Sequence, residues 1–115
     1  NHAEACALIG RDVADGRACA RALLDRGLRH AYVTLGSGGV AVAQGDEVCV
    51  LPAEAVGGVV NATGAGDAFL AAAVWSELRG APPREAARAG LRAAALTLQY
   101  PEAVNPRIRA IITSL

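Results

Sequence analysis

At 115 residues, 53% hydrophobic and 3% aromatic, the chain suits one modest domain or part of a larger one, with a core of Ala, Val and Leu rather than rings. Its 11 basic and 11 acidic residues balance to zero, and every basic residue is arginine. A neutral, ring-poor chain lacks the electrostatic footprint of a nucleic-acid binder, and the missing lysine excludes a Walker A loop and Schiff-base chemistry.

Taken in chain order, Ala3 to Ile9 is predicted as a short helix stopped at Gly10. Asp12 is the expected cap of a second helix over about Val13 to Arg26, where Ala18, Cys19, Ala22 and Leu23 recur at helical spacing and Gly27 suits the C′ position. Arg21 and Asp25, four apart, form a surface pair. Ala31 to Leu35 reads as a strand, and Gly36-Ser37-Gly38-Gly39 as a turn. Val40 to Ala43 and Glu47 to Leu51 follow as strands joined by Gln44-Gly45-Asp46, a hairpin turn, and Pro52 ends their pairing.

Val59 and Val60 read as the end of a buried strand that enters Asn61-Ala62-Thr63-Gly64-Ala65-Gly66-Asp67 and an apolar helix from Ala68 to Leu78. Leu70, Val74 and Leu78 are expected in the core. Gly80-Ala81-Pro82-Pro83 is a break, Arg84 to Tyr100 a long Ala-rich helix stopped by Pro101, and Asn105-Pro106 the start of a last helix to Ser114. Helices alternating with strands predict the α/β class, with a mostly parallel sheet, a β-hairpin and flanking helices.

The chemistry concentrates at residues 63–67. A glycine turn opening a helix presents free N–H groups where the helix dipole favours an anion. A carboxylate beside that hole, Asp67, is better placed to take a proton from a hydroxyl attacking a bound phosphate than to bind the anion itself. The bland alternative is a plain strand-to-helix turn whose Asp supports the dipole. Neither glycine stretch matches a dinucleotide-binding fingerprint; in the second, Phe69 stands where the third glycine belongs.

Asn61-x-Thr63-Gly64-Ala65-Gly66-Asp67 resembles the signature of the ribokinase-like (PfkB) family of carbohydrate and nucleoside kinases. The resemblance implies a ribokinase-like three-layer sandwich of which residues 1–115 are the C-terminal, nucleotide-binding and catalytic portion. The substrate and lid part would lie elsewhere, and the chain reads as a fragment that begins at Asn1 rather than an initiator Met. It further implies ATP and Mg²⁺ as cofactors and a sugar or nucleoside as the small-molecule partner, with no nucleic acid and no membrane. It also allows a homodimer of the full-length protein. Gly64, Ala65 and Gly66 would form the anion hole and Asp67 the catalytic base. Asn1-His2-Ala3-Glu4 is similar to the family's Asn-x-x-Glu motif, which puts Glu4 and Asn1 near Mg²⁺, through water. Thr34, Gly36, Ser37, Gly38 and Gly39 are similar to its nucleotide-binding strand and turn, against the alternative of a tight turn into the next strand.

One departure carries information. Most members have Asp where this chain has Asn61, a carboxylate that with the Thr two residues on (here Thr63) helps hold a monovalent cation. A neutral Asn61 weakens the case for K⁺. Asn at this position, with the tail Ala95 to Tyr100 and Asn105-Pro106, is similar to the pseudouridine kinase branch, which phosphorylates a ribose 5′-hydroxyl. A nucleotide-binding module without activity is the reading from a different class.

Arg84, Arg88 and Arg92, at i, i+4, i+8, are expected as a solvated face. Cys6, Cys19 and Cys49 share no metal-ligand spacing and are odd in number, so free thiols in a reducing cytoplasm are expected. His2 and His30 show no partner at ligand spacing. The apolar stretches fall short of a membrane span and no secretion signal opens the chain, so the expected localisation is cytoplasmic.

Overall fold

The computed structural model describes residues 1–54, 63–101 and 107. The chain divides into two units, Asn1–Ala53 and Glu54–Leu115.

The first unit contains α1 (His2–Ile9), α2 (Gly16–Leu24), β1 (His30–Thr34), β2 (Val40–Gln44) and β3 (Glu47–Leu51). Asn1 caps α1: its Oδ1 accepts from the Glu4 N–H at 2.9 Å, and the Glu4 carboxylate accepts in return from the Asn1 backbone nitrogen. This reciprocal pair satisfies two of the amide donors that a helix start leaves open. Gly10, at φ 85°, closes the helix in the left-handed region, where a Cβ is penalised.

The second helix starts later than its sequence suggests. Asp15, not Asp12, is the cap; its carboxylate accepts from the Arg17 N–H at 2.9 Å. The reason lies at Val13, whose N–H donates to Cys6 Sγ at 3.4 Å and whose carbonyl accepts from the Cys6 thiol and from His2 Nε2. Both backbone groups of Val13 are thereby taken by side chains of α1, which competes with helix formation at that position.

The sheet has the order β1-β2-β3, antiparallel throughout, with Tyr32 opposite Val42 and Val42 opposite Cys49. Connections of five and two residues leave no alternative, because parallel neighbours need a crossover of about a dozen residues or more. The α/β class holds, but parallel pairing is not found among the described strands. The strand end expected at Val59-Val60 lies outside the described residues. Gly45, at φ 58°, supplies the positive φ that the first residue of a primed two-residue turn requires.

Helix α2 lays Cys19, Ala20, Leu23 and Leu24 into a core shared with Ala31, Val33, Ala41 and Ala43. Arginines in the helix and just after it tie it down. Arg21 donates to the Gly45 carbonyl at 2.6 Å and to Asp25 at 3.4 Å, and Arg26 donates to the Ile9 carbonyl at 2.7 Å. The exposed Arg21–Asp25 pair is worth about 0.3–0.5 kcal/mol.

The second unit contains α3 (Ala65–Leu78) and α4 (Pro83–Leu98), packed on one another. Small residues let them approach: Ala68, Ala72, Ala89 and Ala93 form a buried cluster. Phe69 fills the space over Gly90, where a Cβ would stand 2.6 Å from the ring. Gly80 at φ 90° breaks the chain, and Pro83 opens α4. Arg84, Arg88 and Arg92 are exposed, as their spacing suggested.

The core assignment of Leu70, Val74 and Leu78 is corrected: they are 60%, 44% and 79% exposed. Helix α3 is apolar on nearly all sides, so periodicity alone does not mark its inner face. The face turned to α4 is the one with small residues and Phe69, which pack closest. The final helix expected from residue 105 lies outside the described residues.

Two measurements test this packing. Gly90→Ala gains about 1 kcal/mol of helix propensity but overpacks against Phe69 at a cost of about 1–3 kcal/mol. The expected result is a lower midpoint of urea unfolding, and an unchanged or higher midpoint would contradict the contact. Cys19 is fully buried, and burial first, then the neighbouring Cys6, raises its thiol above the ordinary value. Under native conditions an alkylating reagent should therefore modify the partly exposed Cys49 well before Cys19. Equal rates would show that Cys19 is accessible.

Candidate active site

Gly64 is the N-cap of α3 and sits at φ 90°, ψ −7°. The positive φ swings the chain into the helix, and only glycine adopts it without strain. Lacking a side chain, Gly64 provides no capping acceptor. The Gly64 carbonyl accepts from the Ala68 N–H at 2.9 Å, beginning the ladder. The N–H groups of Ala65, Gly66 and Asp67 precede that first bond and stand at the positive end of the dipole. Asp67 lies in the first turn and is exposed, as are Thr63 and Gly66. The helix thus begins two residues before Asp67 rather than at it. This places the carboxylate beside the open amides rather than ahead of them. Asn61 lies outside the described residues.

The second glycine turn is a 3₁₀ turn, Gly36–Gly38, between β1 and β2. Its amides divide into two kinds. The Gly38 N–H donates to the Leu35 carbonyl at 3.0 Å and the Gly39 N–H to the Gly36 carbonyl at 3.2 Å, while the Gly39 carbonyl accepts from the Leu35 N–H at 2.8 Å. These groups hold the turn shut. Gly36 and Ser37 are exposed, and no backbone partner is found for their N–H groups among the described residues. Thr34 ends β1 opposite Val40 and is half-buried. Gly39, at φ 91°, passes so close to β3 that an added Cβ would overlap the Leu51 carbonyl oxygen. The requirement for glycine at 39 is therefore steric, whatever the turn binds.

At the start of α1 the structure brings Asn1 and Glu4 together. Asn1 Nδ2 donates to Glu4 Oε1 at 3.0 Å, and the Glu4 side chain stays 75% exposed. An exposed carboxylate with lone pairs to spare is a hard oxygen donor of the kind that suits hydrated Mg²⁺. The capping pair also gives both residues a structural role, one that their three-residue spacing signals and sequence reasoning missed. Asn1, Glu4 and residues 34–39 belong to the first unit, and residues 63–67 to the second. Sequence reasoning also missed the approach of His2, Cys6 and Cys19, whose available signal was the four-residue spacing of His2 and Cys6 on one helix.

A helix opened by a bare glycine turn, with a carboxylate in its first turn, is a geometry that can receive an anion, and here it sits in an α/β chain. Residues 1–110 match the model of the pfkB family carbohydrate kinases, and the chain belongs to that family. Among solved structures it is similar to a ribokinase from Arabidopsis thaliana complexed with ribose and ATP, at 28% identity and a TM-score of 0.84, covering 98% of this chain and 38% of that one. It is also similar to a ribokinase from Thermotoga maritima, at 26% identity and 0.79, covering 97% and 39%. A fructokinase from Vibrio cholerae, solved with fructose, ADP and potassium ion, shares the fold at 23% identity and 0.77, covering 98% and 38%. The chain thus spans about two-fifths of the length of these kinases. No curated protein sequence matches it. No helix among the described residues is long and apolar enough to cross a membrane.

The two turn glycines separate sterically. Gly39→Ala meets both the left-handed φ and the Leu51 carbonyl and should cost on the order of 3 kcal/mol of stability. Gly36→Ala meets open space and only the cost of its φ of 59°, about 1–2 kcal/mol. Denaturant unfolding of the two variants gives the order directly; equal losses would mean that the contact with β3 is not what demands glycine.

Proposed function

We propose that residues 1–115 are the C-terminal catalytic part of a kinase that transfers the γ-phosphoryl group of ATP to a hydroxyl of a sugar or nucleoside. The observation that carries this reading is the start of α3, where Asp67 stands in the first turn beside amides left open by the bare Gly64 cap. Family membership supplies the reaction class.

In this reading Asp67 accepts the proton of the acceptor hydroxyl as its oxygen attacks phosphorus. The backbone of Gly64, Ala65 and Gly66 stabilises the charge that develops on the transferred group, an electrostatic contribution that costs no reorganisation during the reaction. Thr34 and Gly36 to Gly39 form the nucleotide turn, with the outward amides of Gly36 and Ser37 as its donors and Gly38 and Gly39 holding its shape. Glu4, oriented by Asn1, would hold hydrated Mg²⁺, which neutralises phosphate charge when bound. A monovalent cation near Asn61 and Thr63 has weaker electrostatic support than a carboxylate would give.

For the acceptor we favour the ribose 5′-hydroxyl of pseudouridine, on the strength of Asn61 and the tail from Ala95 to Tyr100. Ribose or another sugar is the second reading, favoured by the similarity to a ribokinase solved with ribose and ATP. A cytoplasmic, dimeric full-length enzyme is in keeping with either.

The test uses the full-length protein. Asp67→Asn should lower kcat by roughly 10²–10⁴-fold, the usual contribution of a general base, with ATP affinity retained. Turnover close to that of the parent would sink the role of Asp67. Wild-type protein assayed with ATP against pseudouridine, ribose, adenosine and fructose phosphate should favour pseudouridine. Preference for ribose would shift the substrate and leave the mechanism standing.

A further inference from the structure

Helix α1 carries His2 and Cys6 four residues apart, on one face. Helix α2 packs against that face and delivers Cys19 to the same point. One ligand atom from each of the three side chains, a ring nitrogen and two sulfurs, lies within 4.8 Å of the others. The edges of a tetrahedral zinc site measure about 3.5–3.8 Å, given bond lengths of about 2.0–2.3 Å. Rotamer adjustment of the two α1 side chains covers the difference. We propose that His2, Cys6 and Cys19 form a binding site for a thiophilic metal ion of the zinc class.

Three observations converge on this. The donor set, one imidazole and two thiols, is soft and matches zinc rather than the oxygen-seeking Mg²⁺. The surroundings are partly prebuilt: Val13 donates its N–H to Cys6 Sγ and accepts from His2 Nε2, so both α1 ligands are already held against the loop that follows their helix. Two of the three, His2 and Cys6, also line a cleft of about 780 Å³ with Asp12 and Val13, which leaves room for water as a fourth ligand, while Cys19 closes the site from within. A simple thiol pair awaiting oxidation would not need the histidine.

Binding releases the two thiol protons to solvent, since the thiolates are the ligands. The site would clamp α1 to α2 at the same end of α1 that carries Asn1 and Glu4. It stands apart from the proposed phosphoryl-transfer reading and does not depend on it.

Reduced, chelator-treated full-length protein titrated with Co²⁺ alone should take up one equivalent. Uptake should bring a thiolate-to-cobalt charge-transfer band in the near ultraviolet and strong tetrahedral bands in the visible, both bleached by Zn²⁺. Cys6→Ala and His2→Ala, chosen because Cys19 is buried and its replacement risks the fold, should each weaken uptake by at least the roughly 10–100-fold that loss of a mere outer partner costs. Cys49→Ala should leave the spectrum unchanged. Absence of the charge-transfer band would overturn the proposal, and so would equal uptake by Cys6→Ala or loss of the band in Cys49→Ala.

Discussion

Phe69 lies over Gly90, and the second unit depends on there being no side chain beneath it. The chain has one Phe, so a single ring takes the volume that several would share elsewhere. Around it the helix–helix interface is almost wholly alanine, which brings the backbones close but grips weakly, each methyl removing little surface from water. The ring fixes the rotation of α3 about its axis. Rotation in turn decides which residues of the first turn face outward, and Asp67 and Gly66 are among them.

Elements and class were legible because their punctuation is chemical. Gly10, Gly45, Gly80 and Pro83 stand where the chain must turn or begin, and each was readable from its residue type. The turn at Gly64 was legible for the same reason, since its residue type marks where the chain swings into α3. What failed was anything settled by distant neighbours. The start of α2 was placed at Asp12 because nothing local shows that Val13 is held by Cys6 and His2. Leu70, Val74 and Leu78 were assigned inward because a helix apolar on all sides has no periodicity to read. The division of labour within residues 36–39, two amides bonded and two outward, is also a tertiary fact.

The thiol–imidazole group shows the same limit from another side. Counting cysteines along the chain finds no ligand spacing, and an odd number argues against pairing. The group comes into being only when α2 docks on α1, 13 residues on from Cys6. Chemistry assembled across a helix pair leaves only a partial trace in any one stretch of sequence, here the four-residue spacing of His2 and Cys6.

The β1–β2–β3 meander joins its strands through five- and two-residue connections, and α2 packs on the sheet that immediately follows it. The strand pairings in that unit are thus made between neighbours along the chain, while α2 reaches across the sheet to β2 and β3. Loop closure costs little entropy there, and hairpins of this length close in about 1–10 μs. A unit built this way can acquire its first ordered surface while the rest of the chain is still searching, so the order of folding would be written into the brevity of two turns.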